Sequence, residues 1–386
     1  MVADLPIPDR VDVAVLGGGL AGLTLAERLS GSAEVLVVTG EPPPGAASPR
    51  SLGIVACGGA DSPARLVQGL GEERAKALWT WSRRATSELA LLAERLGVSW
   101  SACGSVRLAL DPLEAEELSR TETLIRSWEG EGASRRLAPE EIQDLGCRNF
   151  AGGIRVEGDG RIDLPALLAA LVESLQDRVT LVGGKAGVHG SEEGGIRISI
   201  GNRNLLAEIV VVAGGPASSR IHPWFDELLY PVRIQGLRTS PVAHHGLQGP
   251  ALARHRFEAW QQEDDGRIAF VGCRWAEQPE MGAGDWDDSV TSEAVQQRQQ
   301  AFHSEHLGLE APVQVAESWS GIAGFSCDGL PLVGPIPGNP RILAMTGWCG
   351  WGLSAIGAAA QDLAAAILGK EGEPAPRELL SPRRML

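Results

Sequence analysis

Three glycines near the start of the chain have the spacing of a dinucleotide-binding turn. Gly17, Gly19 and Gly22 fit the pattern G-x-G-x-x-G. In that pattern the first glycine permits a tight turn, the second lets the backbone approach a pyrophosphate, and the third lets a helix pack closely on a strand. Phosphates would then lie at the helix N-terminus, where free N–H groups and the helix dipole favour anions. These residues therefore predict a nucleotide-binding turn.

The segments on either side of the glycines supply the strand and the helix that such a turn needs. Residues 11–16 form a valine-rich run typical of a buried parallel strand. Apolar residues then recur on one helical face from Leu20 to Leu29, and residues 35–38 predict a second buried strand. The glycine pattern is weak alone, but it becomes specific between a strand and a helix in a unit of about 30 residues.

The position that normally binds the ribose departs from this pattern. An acidic residue is expected about 20 positions after the glycines, where its carboxylate would bind the ribose hydroxyls. Here Thr39 ends the second strand, and Glu41 is the first carboxylate. A threonine hydroxyl can make one hydrogen bond to a ribose but cannot accept two at once. These residues leave the kind of dinucleotide open.

Composition excludes several classes of function. The chain has 386 residues and a net charge of −15 without a basic cluster, which argues against a nucleic-acid or anionic-membrane partner. Its six cysteines include no C-x-x-C pair, so no metal site or dithiol redox site is predicted. No signal peptide and no run of about 18 apolar residues is present, and a cytoplasmic location is expected.

Four segments in the rest of the chain carry a resemblance. Residues 319–335 read WSGIAGFSCDGLPLVGP, and residues 347–352 read GWCGWG, which is similar to a glycine-histidine-glycine turn. Residues 47–53 are similar to a Ser-x-Arg-x-Gly-Gly loop, and residues 231–236 to a Pro-Val-Arg-Gly-Gln segment. In this order the segments resemble the FAD-dependent superfamily of D-amino-acid oxidase, glycine oxidase and sarcosine oxidase.

The resemblance implies an α/β fold, α+β overall, with a Rossmann-like FAD-binding domain intergrown with an antiparallel-sheet substrate domain. An apolar strand at 209–212 that ends in two glycines suits the nucleotide sheet, and short strands with turns over 231–275 suit an antiparallel one. The predicted segments are 1–95, 161–222 and 317–370 for the FAD-binding domain, 96–160 and 223–316 for the substrate domain, and 371–386 for a flexible tail.

The resemblance also implies where FAD would lie. Its ADP half would lie on the glycine turn, with Glu41, or else Thr39 or water, at the ribose. Ser48 and Arg50 would lie beside the pyrophosphate and the flavin, although a solvated loop arginine is the alternative for Arg50. The predicted cofactor-binding residues are Gly17, Gly19, Gly22, Thr39, Glu41, Ser48, Arg50, Gly350, Gly352, Leu353 and Ser354.

The last four of these residues would face the pyrimidine side of the isoalloxazine ring. A reduced flavin carries negative charge there, and a helix that begins at Ser354 would stabilise it. Cys57 and Cys349 fall in flavin-facing segments. The cysteine that sarcosine oxidase uses for covalent attachment aligns near Gly321, so we expect dissociable FAD.

Family members transfer a hydride from a carbon bearing an amine to the flavin, and the resulting imine is hydrolysed. The resemblance therefore implies a small-molecule amine or amino-acid derivative as substrate. The usual carboxylate-binding arginine would fall at about Ala323, which argues against a small α-amino acid held in the usual way. Arg274 could bind an anion instead, or form a structural salt bridge. Trp351 replaces the usual histidine, and with Trp319 and Trp348 it could line an apolar pocket or belong to the core.

Two questions about activity stay open at this point. Sarcosine-oxidase-like members activate oxygen with a lysine of the substrate domain, but the only lysines are Lys76, Lys185 and Lys370. We therefore expect weak or no oxidase activity, with another electron acceptor or with His244 or His245 as a substitute. The alternative function is a flavin-binding subunit with a degraded site, active only in a hetero-oligomer; a homo-oligomer is also compatible with the sequence.

Overall fold

The computed structural model describes residues 7–40, 48–243, 246–309, 313–372 and 375–386. The strands, numbered in chain order, are β1 (Arg10–Leu16), β2 (Val35–Val38), β3 (Ile54–Val55), β4 (Trp100–Ser101), β5 (Ser105–Ala109), β6 (Ser134–Arg136), β7 (Gly152–Val156), β8 (Gly160–Ile162), β9 (Thr180–Val182), β10 (Ala186–Glu192), β11 (Gly195–Ile200), β12 (Arg203–Val212), β13 (Leu229–Thr239), β14 (Ala251–Ala253), β15 (Glu258–Gln262), β16 (Ile268–Val271), β17 (Val315–Ser326), β18 (Leu332–Ile336) and β19 (Asn339–Thr346). The α-helices are α1 (Leu20–Leu29), α2 (Pro63–Leu70), α3 (Glu72–Arg95), α4 (Pro112–Glu129), α5 (Pro139–Asp144), α6 (Leu164–Leu175), α7 (Ser218–Ile221), α8 (Glu293–His306), α9 (Ile356–Ile367) and α10 (Arg377–Leu380).

The first sheet places β1 at its centre. Strands β12, β1, β2 and β9 run parallel in that order, and β19 pairs in parallel with β12. Antiparallel β10, β11 and β18 extend the sheet at its edges. Helices α1, α3, α6 and α9 contribute to the apolar core on one face. Because β1 is covered on both faces, its apolar residues are almost continuous, as expected for a buried parallel strand. The predicted Rossmann-like domain is confirmed.

The second sheet is mainly antiparallel and has the strand order β17-β13-β16-β15-β14-β5-β7-β6. One of its faces packs on α8 through an aromatic core that includes Trp260, Phe270 and Phe302. The opposite face turns towards β3 and the residues that follow it. The chain crosses between the two sheets several times, which confirms the intergrown architecture.

The predicted domain boundary at residue 317 differs from the observed strand pairing. Strand β17 pairs with β13 from Val315↔Thr239 to Ser326↔Leu229. Residues 317–326 therefore lie in the second sheet, although the sequence assigned them to the FAD-binding domain. The alternation of small and aromatic residues in β17 gives no signal of which sheet it joins, because that depends on pairing with a strand almost ninety residues earlier in the chain.

The C-terminal segment is packed in the structure. Leu380 is 2% exposed, and Arg384 forms two hydrogen bonds of 2.7 and 3.0 Å to the carboxylate of Asp328. This packing of residues 375–386 differs from the flexible tail that the sequence predicts for 371–386. Its Pro-rich composition suggested fraying, but an apolar residue and an ion pair attach this segment to the first domain.

Candidate active site

The three glycines of the turn differ in why they must be glycine. Gly17 has a φ of +139°, and a Cβ there would lie 2.2 Å from the carbonyl oxygen of Ala213. A Cβ on Gly22 would lie 1.8 Å from the carbonyl oxygen of Gly17. Gly19 has an ordinary φ of −79°, and its Cβ would meet only Ser48 Oγ, at 3.5 Å. Packing therefore explains why residues 17 and 22 must be glycine. At Gly19 the space beside the backbone is open, which fits the close approach of a pyrophosphate.

The N-terminus of α1 fits the same role. Its first turn has no acidic residue, and its N-cap residue, Gly19, has no side chain that could cap the helix. The Leu20 N–H donates a long hydrogen bond of 3.4 Å to Ser48 Oγ. The predicted neighbour of the pyrophosphate, Ser48, is thus brought to the helix end that favours anions. These residues fit FAD at this turn.

Thr39 has a structural partner in the described residues. Its hydroxyl donates to the carbonyl oxygen of Val182 at 3.3 Å, and its N–H donates to the same oxygen at 2.9 Å. Thr39 thereby joins β2 to β9. A Cβ on Gly18 would lie 2.6 Å from Thr39 Cα, so Gly18 is a third glycine that packing requires, and the sequence motif did not identify it. Glu41, the other predicted ribose ligand, lies outside the described residues.

Arg50 connects the two domains. Its guanidinium forms an ion pair with Asp288, and its carbonyl oxygen accepts a hydrogen bond of 3.1 Å from Trp319 Nε1. A Cβ on Gly321 would lie 3.3 Å from Arg50 Cδ. The loop that follows the nucleotide turn therefore lies directly against β17. Asp288 was missed by sequence reasoning, since nothing in the sequence links residues 238 positions apart.

The C-terminal glycine turn lies against the second sheet. Gly350 has a φ of +84°, and a Cβ there would lie 3.9 Å from Ile234 Cδ1. Residues 352–354 form a 3₁₀ turn, and α9 begins at Ile356, two residues later than the sequence predicted. The first turn of α9 has no acidic residue and no side-chain cap, so its N-terminus can stabilise negative charge.

The side chains of Leu353 and Ser354 are buried. Leu353 is 9% exposed and belongs to the apolar core of the first domain, while Ser354 is 2% exposed. Ser354 Oγ donates to the carbonyl oxygen of Trp351 at 3.2 Å. The backbone rather than the apolar Leu353 side chain is therefore the part of this turn that could bind a polar ring edge.

The face of the second sheet that turns towards these loops is apolar. Residues directly opposite each other in paired strands share a face. Strand pairing therefore sets Ala323 opposite Val232 and Gly321 opposite Ile234 on one face. Further along the sheet, three buried side chains and three half-buried ones form one apolar cluster: Ala56, Leu252, Ala259, Ile54, Val271 and Trp351. Trp351 thus packs between the C-terminal turn and this sheet.

The predicted anion-binding residue, Arg274, has no acidic partner among the described residues. Its guanidinium lies 4.7 Å from the ring centroid of Phe257 and 5.7 Å from that of Phe325. One hydrogen bond of 3.3 Å runs from Nη1 to the carbonyl oxygen of Met281. Burial lowers the pKa of Arg274 from its usual value, while Tyr230 acts to raise it. Phe325 shares a strand face with Ala323, so Arg274 lies towards the same end of β17.

Trp319 does not join the other two tryptophans. The guanidinium of Arg238 lies 4.8 Å from the ring centroid of Trp319, and the indole N–H donates to the carbonyl oxygen of Arg50. Trp348 and Trp351, by contrast, line one cavity together with Trp81, which the sequence analysis had not singled out.

A buried network of arginines lies behind Ala56. Asp159 is fully buried and accepts hydrogen bonds from the Cys57 N–H at 3.0 Å and from Arg107 at 3.2 Å. Arg256 donates to the carbonyl oxygens of Ala56 and Cys57 at 2.9 and 3.0 Å. Burial, and then the nearby Arg107, lower the pKa of Arg256 to about 9, so it remains a cation at neutral pH.

The two cysteines in flavin-facing segments are both buried thiols. Burial raises the pKa of Cys57 to about 12, and burial also raises the pKa of Cys349. Cys349 Sγ lies 3.4 Å from Ser326 Oγ. Because the thiolate is the nucleophile, both thiols are poor candidates for covalent attachment of a cofactor.

The part of the chain that the structure describes offers neither a membrane-spanning helix nor a cluster of metal ligands. None of its helices is long and apolar enough to cross a membrane. Nor does any group of three or more His, Cys, Asp or Glu side chains in these ranges lie in a position to hold a metal ion.

The chain is similar to known proteins over almost its whole length. A glycine oxidase of Bacillus licheniformis is 24% identical over 381 residues, which covers 93% of this chain and 94% of that protein. The crystal structure of glycine oxidase from Geobacillus kaustophilus has a TM-score of 0.77 at 21% identity, covering 95% and 96% of the two chains. The crystal structure of L-proline dehydrogenase from P.horikoshii has a TM-score of 0.79 at 18% identity, covering 98% of each chain. These two structural likenesses show the fold.

A family model extends from before the glycine turn to the end of α9. Residues 12–366 match DAO, the family described as FAD dependent oxidoreductase. This range includes the glycine turn, the Arg50 loop, β17 and the C-terminal turn. With the site geometry, the match shows that this chain belongs to the DAO family of FAD-dependent oxidoreductases.

Proposed function

We propose that the enzyme oxidises a C–N bond of an amine or amino-acid-derived substrate. The carbon loses a hydride and the nitrogen loses a proton, so that the C–N bond becomes the C=N bond of an imine. Bound FAD supplies the two-electron acceptor for that hydride. Water then hydrolyses the imine to a carbonyl compound and a free amine. The relatives named glycine oxidase and L-proline dehydrogenase support this choice of bond.

The observation that carries the proposal is the apolar sheet face beside the two glycine turns. Ala323 is a small side chain on this face, Gly321 lies under Arg50, and Ile234 and Val232 lie opposite them. Such a face would exclude water and hold the substrate carbon against apolar side chains beside the cofactor. The N-terminus of α1 beside Ser48 and the N-terminus of α9 would hold the anionic parts of the cofactor from the other domain.

Arg274 is the proposed binding residue for an anionic group of the substrate. It is a half-buried cation whose only hydrogen bond in the described residues goes to a carbonyl oxygen. Its remaining N–H groups could bind a carboxylate in a bidentate manner. Ala323 has no charge to offer, so the anionic group would lie closer to Phe257 and Phe325 than in relatives that use an arginine on β17.

We further propose that FAD is bound without a covalent bond. The support is the burial of Cys57 and Cys349, which keeps both thiols protonated. Acid precipitation of the purified protein should leave the yellow colour in the supernatant. Colour that stays in the pellet would contradict this part of the proposal.

Weak reaction with oxygen is also proposed. Lys76 lies in α3, Lys185 precedes β10 and Lys370 follows α9, so none of them lies in the second sheet. His244 and His245, the predicted substitutes, lie outside the described residues. Rapid reoxidation of the reduced enzyme by air, with stoichiometric peroxide, would overturn this expectation.

The alternative of a flavin-binding subunit with a degraded site has no support in the comparisons. The family match covers 12–366, and the glycine oxidase of Bacillus licheniformis aligns with 93% of the chain. Replacement of single residues such as Ala323 and Trp351 is compatible with a change of substrate.

The proposed reaction can be tested with the FAD-loaded protein under anaerobic conditions. Secondary amines, amino acids and matching alcohols are each added, and the carbonyl and amine products are quantified. We expect one carbonyl and one released amine for each flavin that is reduced. Reduction by alcohols alone would mean that the enzyme oxidises a C–O bond, and the proposal would be wrong.

A further inference from the structure

A cavity of about 220 Å³ lies outside the strand face described above. It is bounded by α2, by the C-terminal glycine turn and by the turn between β17 and β18. Three tryptophans line it, Trp81, Trp348 and Trp351, together with apolar residues such as Leu66 and Leu330. An apolar cavity of roughly 150 Å³ is large enough for benzene. This cavity is therefore large enough for a ring-sized group.

The charged groups at the cavity are already paired. Arg65 Nε lies 2.9 Å from Glu117, and its Nη1 lies 3.6 Å from Asp61. Asp328 is bound by Arg384, whose Nε is 2.7 Å away. Because each of these charged groups already has an opposite partner, none is left to bind an ion, and the rest of the wall offers apolar and aromatic surface. An uncharged group therefore suits it better than an ion.

Trp351 adjoins both the cavity and the apolar cluster on the second sheet. It lines the cavity, and it also packs against the cluster of Ala56, Leu252 and Ala259. The guanidinium of Arg256 lies 3.8 Å from the ring centroid of Trp351, which fixes the orientation of the indole. The cavity and the proposed substrate face therefore meet at one rigidly held side chain.

The backbone of residues 254–256 is in an unfavourable conformation. Arg254, His255 and Arg256 have φ values of 49°, 50° and 72° in succession, although none of them is glycine. Left-handed residues that are not glycine are uncommon, and a run of them persists only where surrounding contacts hold it. Here the contacts of Arg256 with the Ala56 and Cys57 carbonyl oxygens hold the turn. The local strain supports a functional role for the Arg256–Trp351 contact.

We infer that this cavity binds an uncharged, ring-sized aromatic or apolar group, the part of the substrate remote from the oxidised C–N bond. The identity of the ligand as a substrate rests on the proposed function, whereas the binding of such a group does not. The inference favours amines with a ring-sized apolar substituent over glycine.

One substitution fills the cavity from its α2 wall, away from the sheet face and from the glycine turn before α1. Gly69 lies in α2 on the cavity wall, and a Cβ there would meet nothing within 4 Å. Gly69→Phe should therefore fold normally while its ring occupies the cavity. Gly132→Phe is the matched control, because a Cβ on Gly132 also meets nothing within 4 Å and this residue lies in the turn before β6.

Binding is measured first with benzyl alcohol, by isothermal titration calorimetry on the FAD-loaded protein. We expect saturable binding to the wild type and to Gly132→Phe, and at least tenfold weaker binding to Gly69→Phe. Equal binding to all three proteins, or no saturable binding to the wild type, would overturn the inference. Normal thermal unfolding of Gly69→Phe with FAD bound excludes misfolding as the cause of any loss.

The link to the substrate is tested with N-benzylglycine and N-methylglycine. We expect Gly69→Phe to lower kcat/KM at least tenfold for the benzyl compound and to leave the methyl compound within twofold. Equal effects on both compounds would contradict the placement of the ring in the cavity. If neither compound, nor any other amine, reduces the flavin, the proposed function fails, and benzyl alcohol binding still decides whether the cavity is a ligand site.

Discussion

Replacing Gly19 by alanine separates the cofactor role of the glycine turn from its packing role. Gly19 has a φ of −79° and a ψ of −176°, which alanine adopts without strain. Its Cβ would lie 3.5 Å from Ser48 Oγ, an ordinary van der Waals distance. Losing a glycine also reduces the entropy of the unfolded chain, a gain of about 0.4–1 kcal/mol. Alanine is less favourable than glycine at a helix N-cap, which offsets this gain, so the free energy of unfolding of the FAD-free protein should change little.

FAD affinity, by contrast, should decrease. The new methyl group would stand on the open side of Gly19, where a pyrophosphate approaches the backbone. We expect Gly19→Ala to weaken FAD binding at least tenfold, which corresponds to about 1.4 kcal/mol. Titration of the FAD-free protein with FAD, followed by quenching of flavin fluorescence, measures the affinity, and urea unfolding measures the stability.

Two further variants make the comparison decisive. Gly22→Ala should destabilise the fold itself, because its Cβ would lie 1.8 Å from the Gly17 carbonyl oxygen. Gly31→Ala, with nothing within 4 Å of its Cβ, should change neither property. If Gly19→Ala binds FAD as tightly as the wild type, the pyrophosphate does not lie on this turn and the reasoning is wrong.

Three other outcomes follow from the charges in the structure. Asp159→Asn should lower the free energy of unfolding in urea by about 3–5 kcal/mol, because it leaves the buried Arg107 without its counter-ion; an effect as small as that of Asp264→Asn, a residue 92% exposed, would contradict this. Arg274→Met should raise KM at least tenfold for substrates with a carboxylate but not for uncharged amines; a uniform rise would assign Arg274 a structural role. Burial raises the pKa of Glu258 from 4.5 to about 7, so the folded state retains this proton longer than the unfolded state. The contribution of Glu258 to the free energy of unfolding should therefore decrease as pH rises from about 4.5 through 7. Glu258→Gln should remove that part of the pH dependence; an unchanged pH dependence would show that another group titrates.

Local patterns in the sequence were sufficient for the nucleotide turn and its sheet. Gly22 is required by its contact with Gly17, five residues earlier, and the valine run of β1 reflects burial on both faces. The G-x-G-x-x-G spacing also identified Gly17, although its close contact is with the distant Ala213, in the loop after β12. The same applies to the position of Ser48, which the family loop indicated and which the structure brings to the N-terminus of α1.

Contacts between distant segments were not predictable in this way. Arg256 lies against Ala56 and Trp351, which are about 200 and 95 positions away, and its left-handed backbone has no glycine to signal it. The pairing of Arg50 with Asp288 likewise depends on how the two domains meet. Such contacts depend on tertiary packing, which no local spacing of residues encodes.

Anaerobic flavin reduction by a substrate with deuterium on the carbon next to nitrogen tests the central claim most directly. The FAD-loaded enzyme is mixed with the labelled and unlabelled forms of a reactive amine, and the loss of flavin absorbance at about 450 nm is followed. We expect complete bleaching with both forms, slower for the deuterated one, because the C–H bond adjacent to nitrogen breaks in the step that reduces the flavin. Bleaching at the same rate with both forms, or no bleaching by any amine, would contradict oxidation of the C–N bond by hydride transfer.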